Sequence, residues 1–178
     1  MTDRQDHQTI DEIVDAYYQR MFRGALAVTG DKHLAEEIVQ ETFLSAFRKF
    51  DSYSGRSSAF NWLYAIMLNK HRDHCRRIKL LKRLGFVRAS VDPEQTITAT
   101  SSRSSPYAEL ANAEKREFLR SAVYKLPRKL REVVAMHYFD DLSLSEVAKI
   151  LDCNLETVKS RLFRSRKRLR QTFRRELS

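Results

Sequence analysis

Between Glu156 and Lys167 the side chains able to meet a charged partner recur at helical spacing. Glu156, Lys159, Ser160, Phe163, Arg164 and Lys167 fall at i, i+3, i+4, i+7, i+8 and i+11, which places them on one face of an α-helix. The chemistry of such a face is recognition, not bond making. Lys and Arg neutralise phosphates, while a carboxylate, an ammonium, a hydroxyl and a ring in the first turns reach base edges in a major groove. Glu156, Lys159, Ser160 and Phe163 are therefore assigned to base contact, and Arg161, Arg164, Arg166 and Arg168 to phosphate. A charge run alone is only a solvated face; its weight here comes from the elements that must position it.

Those elements can be read from the flanking residues. Ser143 followed by Glu146 has capping-box spacing and starts a helix, in which Leu144, Val147, Ala148 and Leu151 form the apolar stripe. Asp152, Cys153 and Asn154 interrupt that pattern, and Asn154 is a good N-cap for the next helix. Leu155, Val158, Leu162, Leu169 and Phe173 share the inner side of this second helix. Two short helices around a tight turn, the second basic on its outer face, make a helix-turn-helix whose second helix enters the groove.

Composition agrees with a polyanionic partner. The 178 residues carry a net charge of +10 while keeping 23 acidic residues, so the chain is basic yet globular in character. Four Gly and three Pro argue against an all-β protein rich in turns. No apolar run reaches the length of a membrane span, and MTDRQDHQTIDE lacks the features of a signal segment, so the chain is expected to stay in the cytoplasm without inserting into a membrane. Cys75 and Cys153 are the only thiols and have no CxxC spacing. His71, His74 and Cys75 fall on one helix face, but no fourth ligand is indicated and the neighbouring Arg and Lys oppose a cation. No metal site, cofactor, phosphate loop or nucleophile-base pair is expected.

The rest of the chain reads as helices. After a polar start, Ile10, Ile13, Val14, Tyr17, Met21 and Phe22 mark an amphipathic helix from Thr9 to near Gly30. Asp31 opens a second, with Leu34, Ile38, Val39, Phe43, Leu44 and Phe47 expected inside and Glu36, Glu37, Gln40 and Glu41 outside. Residues 50–58, FDSYSGRSS, form a loop. Helix resumes at FNWLYAIMLN and continues through KHRDHCRRIKLLKR, with Trp62, Leu63 and Ile66 expected in the core and Asn69, Lys70, Arg72, Asp73, Arg76 and Arg77 on a nucleic-acid face. Residues 89–105 lose periodicity and gain Ser and Thr, as a flexible linker does. Pro106 precedes another helix that ends at Pro127, and RKLREVVAMHYFDD supplies a helix supporting the helix-turn-helix, with His137 as scaffold. The expected fold is all-α: two small helical domains, residues 9–88 and 106–178, joined by the linker.

In order and separation, the segments AEEIVQETFLSAFRKF, FNWLYAIMLNKHRDHCRR and LPRKLREVVAMHYFDDLSLSEVAKILDCNLETVKSRLFRSRKRLR resemble a bacterial RNA polymerase sigma factor of the extracytoplasmic-function class, in the sigma-70 family. The resemblance implies a factor that binds core polymerase and directs promoter-specific initiation without being an enzyme. Its partners would be the beta-prime coiled coil and the beta subunit of core polymerase, promoter DNA, and an anti-sigma factor that holds it inactive. It makes residues 9–88 the region 2-like domain and residues 106–178 the region 4-like one. Glu36, Glu37, Gln40 and Glu41 match the segment that docks on the coiled coil. Residues 51–77 match the part that opens the minus-10 element, with loop 51–58 forming a pocket for a flipped base beside Phe60, Asn69 and Asp73. Lys159, Ser160 and Phe163 match positions that read the minus-35 duplex. Ala65, Met67 and Leu68 depart from the family pattern and shift strand-separation weight to Arg72, Arg76 and Arg77; Asn154 stands where the family commonly has Pro.

Two other function classes are weighed. A helix-turn-helix repressor or activator acting alone predicts a ligand pocket or symmetric dimer face in the N-terminal half, where the sequence offers an acidic helix and an aromatic-basic one. A nucleic-acid-processing enzyme predicts clustered metal-binding carboxylates or an activated nucleophile, which the sequence does not offer.

Overall fold

The computed structural model describes residues 10–53, 55, 57–86 and 118–176, and the described elements are all helical. The expected frayed start, the linker at 89–105 and the helix onset after Pro106 lie outside the described residues. Helix α1, Ile10–Thr29, buries Ile13, Met21, Ala25 and Val28. It ends where Gly30 adopts φ +70, a left-handed conformation that Gly reaches without Cβ strain. Helix α2, Lys32–Lys49, begins on Asp31, whose carboxylate accepts the Leu34 N–H at 2.8 Å. Helix α3, Ala59–Arg83, begins on Ser58, which accepts from the Asn61 N–H at 3.2 Å. Phe60, Leu63, Tyr64, Met67 and Leu68 of α3 close the core of this three-helix unit.

The C-terminal unit starts with helix α4, described over 118–124. Helix α5, Arg128–Val134, follows Pro127 and widens into a π-helical turn, Ala135–Phe139. Then come α6, Leu144–Ile150, and α7, Leu155–Glu176. Both members of the Ser143 and Glu146 capping box are formed. Asp152 takes φ +49, and the N–H groups of Asp152 and Cys153 return to the carbonyls of Lys149 and Ala148 at 3.3 and 3.0 Å. This Schellman closure ends α6, and Asn154 Oδ1 accepts the Thr157 N–H at 2.8 Å to begin α7. Val133, Val134, Met136, Val147, Val158 and Leu162 form the core.

Some expectations are corrected. Leu44 and Phe47 point outward, at 59% and 66% exposure, because α2 buries the smaller Ala35, Thr42 and Ala46 beside Ile38 and Val39. Leu155 lies at the exposed edge of α7, and buried Ser165 takes a place on the inner stripe, donating to the carbonyl oxygens of Arg161 and Leu130 at 2.8 and 3.3 Å. The supporting helix is regular only to Val134.

The two units pack against each other. Arg72 grips Glu132 in a two-pronged ion pair, Nε to Oε1 at 3.2 Å and Nη2 to Oε2 at 2.9 Å. Tyr64 donates its hydroxyl to Asp140 Oδ2 at 2.9 Å, Asn61 Nδ2 donates to Glu146 Oε1 at 3.3 Å, and Arg20 donates to the Asp140 carbonyl.

Burial raises the Asp140 carboxyl from 3.8 to about 6, against the opposing hydrogen bond from Tyr64 and the charges of Arg20 and Arg23. Burial also lowers His71 from 6.5 to about 3, helped by Arg131, Arg128, His74 and Arg72. The signs oppose. Asp140 contributes stability fully below 3.8 and loses it as pH rises through about 6; neutral His71 contributes above 6.5 and loses it as pH falls toward about 3. Denaturant midpoints measured from neutral pH to about pH 5 should therefore change little in the parent chain. Asp140→Asn, which keeps an acceptor for Tyr64, should expose the acid-side loss from His71, and an equally flat profile in that variant would refute the balance.

Candidate nucleic-acid interface

On α7 the outward stripe is open along its length. Glu156, Lys159, Ser160, Phe163, Arg164 and Lys167 are exposed, Phe163 at 70%, although a ring on a soluble helix ordinarily seeks cover. Lys159 Nζ lies 2.8 Å from Glu156 Oε1, an i,i+3 pair that holds both side chains over the first turn. Arg161 is half-buried, whereas Arg166 and Arg168 are exposed. Arg166 is steadied by the Tyr138 hydroxyl, which accepts from Nε at 2.8 Å, with the guanidinium over the Tyr138 ring. Lys129, Arg164, Lys167, Arg168 and Gln171 line a cleft between α5 and α7. Lys129 and Gln171 were not legible as members of this basic surface, because Lys129 comes from another helix and Gln171 carries no charge.

On α3, Asn69, Asp73, Arg76 and Arg77 are exposed and Lys70 and Arg72 half-buried. Among the described residues, all but Arg77 have side-chain partners within the chain. Arg76 pairs with Asp73, Lys70 Nζ lies 3.7 Å from Glu41, and Asn69 Oδ1 accepts weakly from Arg72 at 3.4 Å. Phe60 sits apart from this face: at 3% exposure it packs on Tyr17 and Tyr64 with the Arg20 guanidinium 3.8 Å over its ring. In the preceding loop Tyr53 stacks on Trp62 at 4.7 Å and donates to the Ser57 carbonyl, so the loop is pinned to the helix it precedes; Ser54 and Arg56 lie outside the described residues.

On α2, Glu37, Gln40 and Glu41 are exposed and Glu36 half-buried, with Lys32 Nζ 3.9 Å from Glu36. Leu44 and Phe47 continue the stripe of Glu37 and Gln40 at i+7 and i+10. The face is therefore amphipathic, acidic at one end and apolar at the other, a feature that the expected core placement of Leu44 and Phe47 did not show. His71 Nε2 and Cys75 Sγ are buried at 3.5 Å from one another, while His74 is half-buried. Among the described residues no three His, Cys, Asp or Glu side chains converge as metal ligands.

The family model for Sigma-70 region 2 matches residues 13–80, and that for Sigma-70, region 4 matches residues 117–169. The chain is 31% identical over 173 residues to the ECF RNA polymerase sigma factor SigW of Bacillus subtilis (strain 168), covering 95% of this chain and 91% of the relative. It is 30% identical over 167 residues to SigM of the same organism, covering 94% and 96%. Among solved structures, the sigma factor RpoE in complex with the anti-sigma factor NepR from Bartonella quintana superposes with a TM-score of 0.74 at 22% identity, over 92% of this chain and 96% of that one. CnrH in complex with the cytosolic domain of CnrY gives 0.62 at 24% identity, over 92% and 86%. These two likenesses establish the fold; the sequence relatives and both region models establish the lineage. The chain belongs to the ECF RNA polymerase sigma factors, transcription initiation factors of the sigma-70 family.

Proposed function

We propose that this sigma factor docks on core polymerase through the α2 face, reads the minus-35 duplex with α7 and engages the minus-10 strand with α3. The observation that carries the reading is the uninterrupted exposed stripe of α7, which keeps Phe163 in water while the opposite stripe closes the core. Glu156, Lys159, Ser160 and Phe163 take base edges, and Arg161, Arg164, Arg166 and Arg168 take phosphates, with Lys129 and Lys167 adding to the same track. On α3, Asn69, Lys70, Arg72, Asp73, Arg76 and Arg77 face the opened strand, and Phe60 supports the loop pocket from beneath. The chain is not itself a catalyst. It acts in the cytoplasm under an anti-sigma factor, a partner of the kind found with the Bartonella RpoE.

The direct test combines the purified chain with bacterial core polymerase and a pool of promoter fragments, read by co-purification and run-off transcription. Initiation at a defined subset is expected; duplex binding without any response to core would return the chain to a conventional regulator. Within that assay, Lys159→Ala or Phe163→Ala should reduce minus-35 discrimination by about 1–3 kcal/mol and leave core affinity unchanged. Equal loss of both would remove the assignment.

The α2 reading makes a separate prediction. Leu44→Ala with Phe47→Ala should weaken core binding at least tenfold, since burying each side chain is worth about 1.5–3 kcal/mol, while the melting temperature of the free chain changes little because both are exposed already. Reversal of Glu37 and Glu41 to Lys should weaken core binding in the same direction. Unchanged core affinity in both variants, measured by fluorescence titration, would move docking off this face.

A further inference from the structure

We propose that the far end of α3 is a membrane-surface contact, in which Leu80, Leu84 and Phe86 enter the headgroup layer of an anionic bilayer while Lys79, Lys82 and Arg83 hold its phosphates. The inference stands apart from the minus-10 reading, which uses α3 only as far as Arg77.

The last turns of α3 differ from the rest of the helix. Its buried positions end with Cys75, and from Arg76 to Phe86 no residue is buried. Apolar residues nevertheless continue there: Leu80 is 55% exposed, Leu84 60% and Phe86 78%, more open apolar surface than a helix end needs. Leu80 and Leu84 stand one turn apart at i,i+4, with Ile78 and Leu81 half-buried beside them. Arg76, Lys79 and Arg83 recur at i, i+3 and i+7 on the adjoining row. From His74 to Phe86 the chain has five Lys and Arg and no Asp or Glu. A helical segment that is apolar on one side and basic on the other lies in the plane of a membrane interface; among the described residues no helix is long and apolar enough to cross one.

The tip is held in shape. The N–H groups of Leu84, Gly85 and Phe86 return to the carbonyls of Leu80, Lys82 and Leu81 at 3.0, 3.1 and 3.0 Å, with Gly85 at φ +78. Such a Schellman closure commonly tucks the residue after the glycine against the last turn, yet Phe86 stays in water. A Cβ on Gly85 would meet nothing within 4 Å, so the end is convex and open. Shape and charge select the occupant. A convex apolar tip fits a yielding layer better than a protein groove, and a second copy would set like charges against one another. A nucleic-acid strand would answer the cations and leave the leucines in water. Anionic lipid answers both, with the Lys and Arg stems following the leucines down and their heads at the phosphates. So few side chains give weak, reversible attachment, as a single acyl chain does.

The test titrates the full chain with vesicles of equal parts phosphatidylglycerol and phosphatidylcholine, and with phosphatidylcholine alone. Co-sedimentation reads binding, and a Phe86→Trp variant, compared with the parent and its Trp62, reads entry into the apolar layer. Binding to the anionic vesicles only, with a blue shift of the added tryptophan, is expected. Leu84→Ala with Phe86→Ala should weaken it about tenfold or more, and Lys82→Gln with Arg83→Gln about fivefold per charge. None of these four residues is buried, so the fold tolerates the changes. Because α7 also brings charge to any anionic surface, co-sedimentation without the blue shift, or unmoved by the apolar pair, is plain electrostatic adsorption and overturns the proposal. Absence of vesicle binding overturns it as well. Loss of affinity for a randomised duplex DNA pool in the Lys82 and Arg83 variant, with vesicle binding unchanged, assigns the tip to nucleic acid and overturns it too.

Discussion

A buried carboxylate that must find two guanidinium groups sets the register of the molecule. Glu132 meets Arg72 at 2.9 Å from the N-terminal unit and Arg128 at 3.6 Å from its own helix. Taking such charges out of water costs several kcal/mol before their attraction returns any of it, so the pair is poor evidence for stability as such. Its effect is on arrangement. A shift of α3 by one turn, about 5.4 Å, would carry Arg72 out of reach of Glu132, and the Tyr64 to Asp140 hydrogen bond would be lost with it. The polar contacts therefore select one docking geometry from the many that apolar surfaces alone would accept.

Within each unit the same economy recurs: one stripe of a helix packs and the other stays exposed. On α2 the packed stripe is narrow and small, built on Ala35, Thr42 and Ala46, which lets α2 lie close to its neighbours and turns Leu44 and Phe47 out to water. On α7 the packed stripe runs through Val158, Leu162 and Ser165, and the small buried Ser165 brings the helix near enough to α5 to bond the Leu130 carbonyl. Close packing on one side thus fixes the direction of the other, and the exposed stripe inherits its orientation from the residues opposite it.

What could be read without coordinates was whatever depends on near neighbours in the chain. Asp31, Ser143 and Asn154 cap helices because their side chains reach N–H groups three residues on, and Gly30 ends α1 by a local backbone preference. The α7 face was legible for the same reason, since helical period alone gathers its members. The burial of Arg131 and Glu132, both 1% exposed, has no local signal, because their partners, the Tyr124 carbonyl and Arg72, come from other elements. Phe60 was placed beside a base pocket and lies in the core, since its cover comes from Tyr17 and Arg20 on α1. Leu44 and Phe47 were placed on the core face of α2 with Leu34, Ile38, Val39 and Phe43, yet they turn to water, while Ala35, Ile38, Val39, Thr42 and Ala46 are the residues that α2 buries. Long-range partners and local fit, not periodicity, decide those cases.

The π-helical turn at Ala135–Phe139 joins these two kinds of constraint. An extra residue in the turn ends the regular α5 ladder, with the Asp140 N–H returning to the Ala135 carbonyl at 3.2 Å. Two residues apart at its exit, Tyr138 and Asp140 face different elements: Tyr138 accepts from Arg166 on α7, and Asp140 accepts from Tyr64 on α3. His137 also lends the turn a contact to the Leu142 carbonyl at 2.9 Å, holding the entry to α6. A single π-helical turn therefore touches the contact between the units, the start of the helix-turn-helix and Arg166 of α7. The contact of Asp140 with Tyr64 and the support of Arg166 by Tyr138 therefore both hang on one short stretch of chain, Ala135–Phe139 and the residue that follows it.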